Sequence, residues 1–438
     1  MVDASFSRWQ RWGYSMCNVG SGIAGVPINI LLLYYLTQEI GLRANLAGLI
    51  LALPKVWDAL VDPLFGGWID RISRRAGGRG PVTLVSGAVY LTTLVTLFSL
   101  HALHVPSLML LGVATILLIG ASIAQTALGV TQFAVATEMT SNSVDLSKLL
   151  SMSAVAAQIL VVTASILAPL LIVWTGGRGQ GYFWMAAILA STAAAAVLLF
   201  FWATHRVPVL RYSADSDNTP LFLSIRLTWS NRAFYFLIAF VMCVNAGSNV
   251  LFGFMPFANH YVLSGAPADL STLEGVLGVT VLIGMLAAPF VVRRIESLAS
   301  MRICNLIIAV LLALMYAASF GPLWSTWLIL ACIGLASGVI GVVVQTATLN
   351  AARIVQPGSG TVALGFYLGI MLAGIKLGNS LGGIASGQLL DLVGFVPGGG
   401  VQTAATIEWL RIGFTLVPML FTIAAGVCLY RVRIPHTA

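Results

Sequence analysis

Charge is what this 438-residue sequence has least of: only 8% of its residues are Asp, Glu, Lys or Arg, against roughly 25% in soluble domains. A chain so poor in charge and 59% hydrophobic cannot cover itself with a water-facing surface, which excludes a soluble enzyme and places it in the bilayer. Cysteine is also sparse. Cys17, Cys243, Cys304, Cys332 and Cys428 fall within or at the ends of apolar stretches without paired spacing, which argues against a disulfide framework or a zinc site and reads as small core residues. There is no nucleotide-binding loop, metalloprotease motif or nucleophile elbow, and no polar loop large enough for a catalytic domain. Neither ATP-driven nor enzymatic chemistry is therefore expected, and no cofactor is expected. The first apolar stretch lacks a cleavage site and reads as a retained helix.

What the sequence does have is a series of apolar runs, each of about 20 residues and so long enough to cross the hydrocarbon as a helix. Twelve are predicted, at 13–37, 45–68, 81–100, 107–130, 150–174, 182–203, 233–257, 271–292, 303–320, 324–348, 361–390 and 408–430. With the N-terminus in the cytoplasm, 17 of the 22 Lys and Arg fall on that side. This bias supports an even helix number with both termini inside. The net charge of +8 is thus topological and calls for no nucleic-acid partner. The longest polar segment follows the sixth run and divides the chain into 1–203, a central cytoplasmic loop at 204–232, and 233–438. The expected fold is an all-α membrane protein of twelve transmembrane helices in two pseudo-symmetric six-helix bundles. Such a layout suits a secondary transporter with its site at the midplane, a multi-pass monomer of the inner membrane whose partners are the lipid bilayer, a small-molecule substrate and a coupling cation.

One stretch organises the rest. Lys55-Val-Trp-Asp58-Ala-Leu-Val-Asp62-Pro63 puts three ionisable groups on one helical face inside an apolar span. A charge near the bilayer centre costs ~2.5–3.5 kcal/mol, so such groups face a protein interior or a wet cavity and mark an ion path. A structural salt bridge between Lys55 and one Asp is the plainer reading, and it leaves the second carboxylate unpaired. Lys376, in mid-span of the eleventh run, also calls for a carboxylate partner, for which Asp58 and Asp62 are the candidates. Beside it, Gly374, Gly378 and Gly382 recur every four residues and offer a face for close helix approach. Laying Leu60–Pro63 over Leu286–Pro289 sets Asp58 against Gly284 and Asp62 against Ala288, so on that alignment only the first half carries the acids.

Weaker signals are polar residues within the spans: Asn18, Ser21, Gln125, Gln132, Gln158, Asn245, Ser248, Asn249, Gln345, Asn379 and Ser380. They are candidates to line a substrate cavity, and each equally suits an interhelical hydrogen bond, worth about 0.6 kcal/mol. Gly66-Gly-Trp-Ile-Asp70-Arg71-Ile-Ser-Arg74-Arg75 reads as a tight turn at the cytoplasmic edge. It resembles the signature between helices two and three of major facilitator transporters, where Asp70, Arg71 and Arg75 would clamp a cytoplasmic gate.

The Trp57-Asp58-Ala59-Leu-Val-Asp62-Pro63 core, in the second of twelve spans, resembles the glycoside–pentoside–hexuronide:cation symporters, the major facilitator branch that includes melibiose permease. Tyr34-Tyr35-Leu-Thr before Gly41-Leu42, Asn245-Ala-Gly-Ser248-Asn249, and the Lys376 helix with Gly382-Gly383 and Gly394-Phe395 add to the likeness. The resemblance implies cation-coupled symport by alternating access, with Asp58 and Asp62 binding the cation and Lys376 beside them. The family's sugar-binding acids fall at Gly22 and near Leu128, and its fifth-span Arg near Ala154 or Ala156, so a sugar here would be held by amides and aromatics. The same fold serves sodium-dependent lysophospholipid symporters, which makes an amphipathic lipid the alternative substrate. A non-transporting sensor or scaffold is the second alternative, and three intramembrane charges count against it. The family's sodium-using members carry an Asn where this chain has Val61. Na⁺ wants several oxygen ligands and a valine offers none, though Gln125 of the fourth span is a candidate to supply one; a proton needs one carboxylate, so the ligand count favours H⁺ over Na⁺.

Overall fold

The computed structural model describes residues 7–76, 78–103, 105–140, 143–205, 207, 232–355 and 361–432; the side chains of 59–67, 70, 74, 348–355, 361–369 and a few isolated positions lie outside that description. Twelve long helical segments follow one another, and among the described residues there is no strand. They are α1 (Arg8–Val26, carried on through Pro27–Leu31, Leu32–Tyr34 and Tyr35–Glu39), α2 (Ala44–Arg75), α3 (Arg79–Leu97), α4 (Ser107–Met139), α5 (Ser143–Trp174) and α6 (Arg178–Thr204). After the central segment come α7 (Arg232–Phe257, carried on through Ala258–Val262), α8 (Asp269–Arg294), α9 (Ser297–Ala318), α10 (Leu323–Val355), α11 (Thr361–Leu392) and α12 (Ala404–Arg431). Among the described residues, ten of these helices are long and apolar enough to cross a membrane. The other two, α2 and α11, have 32 residues each, enough at 1.5 Å per residue to cross the hydrocarbon. In lipid every backbone group must be satisfied within its own segment, which is why these apolar runs are helical from end to end.

Two compact units result, Met1–Tyr212 with Pro397–Gly399, and Ser213–Val396 with Gly400–Ala438. Much of the expected central loop, 208–231, lies outside the described residues. The first unit is built on the pairs α1/α6, α1/α5, α3/α4, α2/α4 and α3/α6, and the second on α7/α12, α7/α11, α9/α10, α8/α10 and α9/α12. Adding six to each label of the first set gives the second. The internal repeat that is faint in the residues is thus plain in the packing.

Small residues make these pairs close. A Cβ at Gly334, Gly338 or Gly284 would overlap atoms of the facing helix along the α8/α10 contact, mostly backbone. The Gly374, Gly378 and Gly382 face lies against α7, at Ile238, Met242 and Ala246 in turn. With no hydrophobic drive between helices in lipid, such van der Waals contact is a main source of association.

Two local features bear on the site. First, the turn expected at Gly66–Arg75 is helix: α2 continues to Arg75, and the reversal comes only at Ala76 and Gly78. The glycines at 66 and 67 have no need to break the helix, because leaving it there would strand backbone groups in the hydrocarbon. Gly78 takes φ 151°, a backbone conformation essentially reserved for glycine, and its N–H donates to the Ser73 carbonyl at 2.9 Å. Second, α1 and α7 each widen into π turns, at Pro27–Leu31, Tyr35–Glu39 and Ala258–Val262. Tyr35 anchors the second of these: its hydroxyl donates to the Phe98 carbonyl at 3.0 Å, accepts from His101 N–H at 3.0 Å, and its ring lies 4.9 Å from that of Tyr182.

Candidate functional site

In the first unit α2 carries Lys55, Asp58 and Asp62 at steps of three and four residues, so its backbone sets all three on one face. The side chain of Asp62 lies outside the described residues. Asp58 is buried, 7% exposed, and α4 meets it: Ser122 Oγ donates to Asp58 Oδ2 at 2.5 Å and stands 3.5 Å from the Pro54 carbonyl. A hydroxyl has one proton, and the short contact shows which acceptor takes it. Lys55 Nζ donates to Asn29 Oδ1 at 3.5 Å, and Asn29 Nδ2 donates to the Gly25 carbonyl at 2.9 Å within its own helix. Asn29 sits in the first π turn of α1. One buried carboxyl, a hydroxyl donor from a second helix, and an ammonium one turn away on a neutral amide make a compact polar centre in an otherwise apolar bundle. Such a centre can hold a small cation or exchange a proton.

Other candidates in this unit have plainer surroundings. Ser21 Oγ donates back to the Cys17 carbonyl at 3.1 Å, Asn18 is half-buried, and Gln125 is exposed. Gln132 Nε2 donates to Ser153 Oγ at 3.0 Å and ties α4 to α5. Gly22 faces Val161 of α5, where an added Cβ would crowd it, and Leu128 is buried. Neither position offers a charge to a sugar.

Of the expected gate residues, Arg71 and Arg75 are exposed, and the side chain of Asp70 lies outside the described residues. Four residues further on, Arg79 grips Glu138 of α4 with Nε at 3.0 Å and Nη2 at 2.8 Å, their side chains 11% and 6% exposed. The planar fork on a carboxylate is the strong form of this interaction. Removing one partner of a buried pair strands the other, so Arg79→Ala should cost about 3 kcal/mol or more. The Arg79→Ala/Glu138→Ala double variant should cost less than the two single losses added. Thermal unfolding of the four proteins checks this, and additive losses would count against the pair.

In the second unit Asn245, Ser248 and Gln345 line a cavity of about 350 Å³. Asn245 Nδ2 is committed to the Val241 carbonyl at 2.8 Å. Lys376, Asn379 and Asn249 are half-buried on α11 and α7, outside that lining, and Ser380 Oγ donates to the Lys376 carbonyl at 2.9 Å. Although the aligned positions Gly284 and Ala288 carry no acid, the second unit does hold a buried one. Glu274 of α8 is 2% exposed, and its Oε1 has no hydrogen-bond partner among the described residues.

Sequence reasoning passed over Asn29, Ser122, Arg79, Glu138 and Glu274. For Glu274 the signal was available, an acid inside the run 271–292. A serine in an apolar span gives no such sign, and only the crossing of α2 and α4 selects Ser122.

Residues 13–436 match the family described as MFS/sugar transport protein. An uncharacterized symporter of Bacillus subtilis strain 168 is 23% identical over 96% of this chain and 90% of its own length. A putative glycoside/cation symporter of Escherichia coli K12 is 22% identical over 93% and 88%, and a glucuronide carrier protein homolog of the same organism 25% over 95% and 91%. Among solved structures, a D-xylose–proton symporter superposes with a TM-score of 0.71 at 13% identity, covering 97% of this chain and 96% of its own. A bacterial homolog of the human lysosomal transporter Spinster gives 0.73 at 13%, with the same coverage. At such identity the two structures speak to the fold alone.

Proposed function

The chain belongs to the MFS/sugar transport family, and from that membership we propose that it is a cation-coupled symporter of a sugar or glycoside, working by alternating access in the inner membrane with both termini in the cytoplasm. The observation that carries the coupling is Asp58, a carboxyl buried on a membrane helix with Ser122 donating to it and Lys55 one turn away. Its full-length relatives include a putative glycoside/cation symporter and a glucuronide carrier homolog, which supports a small glycosidic solute over a lipid. Asp58 and Asp62 take the cation. Lys55 supplies the positive charge that it replaces or balances.

For the coupling ion the reading rests on the side chain at position 61. Ser122 Oγ is a neutral side-chain oxygen on Asp58, and position 61 is valine, which offers no oxygen. Na⁺ at a hard-cation site needs several oxygens, while H⁺ needs one carboxylate. We therefore assign H⁺. In proteoliposomes at fixed pH, with an uncoupler collapsing the proton gradient, an imposed Na⁺ gradient should leave the accumulation ratio of glycoside at unity. Robust Na⁺-driven accumulation overturns the proton assignment, and Na⁺ use gained by Val61→Asn supports the ligand count.

A further inference from the structure

The cavity in the second unit takes its lining from all six helices of that unit. Their relative directions are fixed by close contacts. Gly334 and Gly338 meet Leu277 and Val281 in parallel order, and Gly374, Gly378 and Gly382 do the same with Ile238, Met242 and Ala246. On α9 and α12 the order is reversed, with Arg302 on Val432, Asn305 on Thr422 and Tyr316 on Glu408. Position along a helix therefore reads as depth, at 1.5 Å per residue.

Read this way, the lining is graded. Gln345, Asn305 and Thr422 lie toward the helix ends that carry Arg232, Arg302 and Arg431, and Asn245, Ser248 and Ser337 lie at mid-depth. Beyond them the wall is Leu251, Leu277 and Ile333. Past Ser337, one turn before this wall on α10, Leu251, Leu277, Ile333 and Leu312 offer a sugar hydroxyl no side-chain partner. A bare sugar placed there would lose water from its hydroxyls without replacement, whereas an apolar group would be transferred favourably. The volume suits a small-molecule fragment.

We infer that this cavity is a subsite for the apolar aglycone of a glycoside, an alkyl or aryl group seated against Leu251, Leu277 and Ile333, with the amides of Asn245 and Gln345 toward the sugar. The inference rests on the glycoside reading above and narrows it to glycosides with an apolar substituent.

The test is calorimetric titration of the purified full-length protein with methyl, propyl, butyl and hexyl β-D-glucosides and β-D-glucuronides. Each added methylene should tighten binding by about fourfold until the space is full. Val281→Phe, and independently Leu312→Phe should the first fail to fold, narrows the far half of the cavity; either should flatten the series and leave the methyl glycosides unchanged. The inference is overturned by affinity independent of chain length, by variants that weaken methyl and hexyl glycosides by the same factor, by the absence of binding throughout, or by a lysophosphatidylcholine that outbinds every glycoside. Failure of the transport reading has a different signature. Chain-length dependence would persist in titration while no glycoside accumulates in proteoliposomes under any cation gradient.

Discussion

Asp58→Asn brings gradient-driven accumulation to an internal-to-external ratio of unity and leaves the protein folded and inserted. The two halves of this expectation come from different atoms. Asparagine keeps the size of aspartate, and its Oδ1 can still accept from Ser122 Oγ, so the contact between α2 and α4 survives with a loss of about 1 kcal/mol from the vanished charge. What it cannot do is bind a proton or carry the negative charge that draws a cation. Substrate then equilibrates across the membrane without being concentrated. Proteoliposome uptake gives the ratio, and thermal unfolding checks the fold. Accumulation at the wild-type level would remove Asp58 from the coupling site.

Gly338→Leu should have the largest effect on stability. A Cβ at 338 would run into the Val281 carbonyl oxygen, Met285 N at 2.7 Å and Gly284 Cα at 2.9 Å, all of them backbone, so no rotamer change can make room. Overpacking of a close helix contact costs about 3 kcal/mol and in such cases more. Gly341, one turn along α10, has nothing within 4 Å of its built Cβ, which makes Gly341→Leu a matched control with a much smaller loss. Thermal unfolding and yield in detergent compare the two. Equal stability would mean that the close approach of α8 and α10 is not what holds them.

The fold was legible because its causes are local. Twelve apolar runs of membrane length and the lysine and arginine bias need no tertiary knowledge, and the Gly374, Gly378, Gly382 spacing announced a close contact before its partner, α7, was known. The error at Gly66–Arg75 has a different root: glycine and charge often end helices, but α2 runs on unbroken to Arg75, and at 32 residues it is longer than the hydrocarbon needs. The site was legible in part. Lys55, Asp58 and Asp62 stand out because charge is costly where they lie. Ser122 and Asn29, which fix how Asp58 and Lys55 are held, are ordinary polar residues whose role depends on which helices cross. Arg79 was counted only for topology, since nothing in sequence joins it to Glu138, 59 positions away.

The π turn at Pro27–Leu31 takes up one residue more than an α-helical turn would. Everything in α1 beyond it is therefore rotated by about 100° from where an unbroken helix would leave it. Tyr35, pinned to Phe98 and His101, lies on the far side of that offset, and Asn29, which meets Lys55, lies within it. The aim of Asn29 is thus set by the number of residues between Val26 and Tyr35 as much as by their kind. Across homologous chains this segment should tolerate exchanged side chains more readily than a changed length, because a single lost residue would turn the amide away from the lysine while leaving every apolar residue in the hydrocarbon.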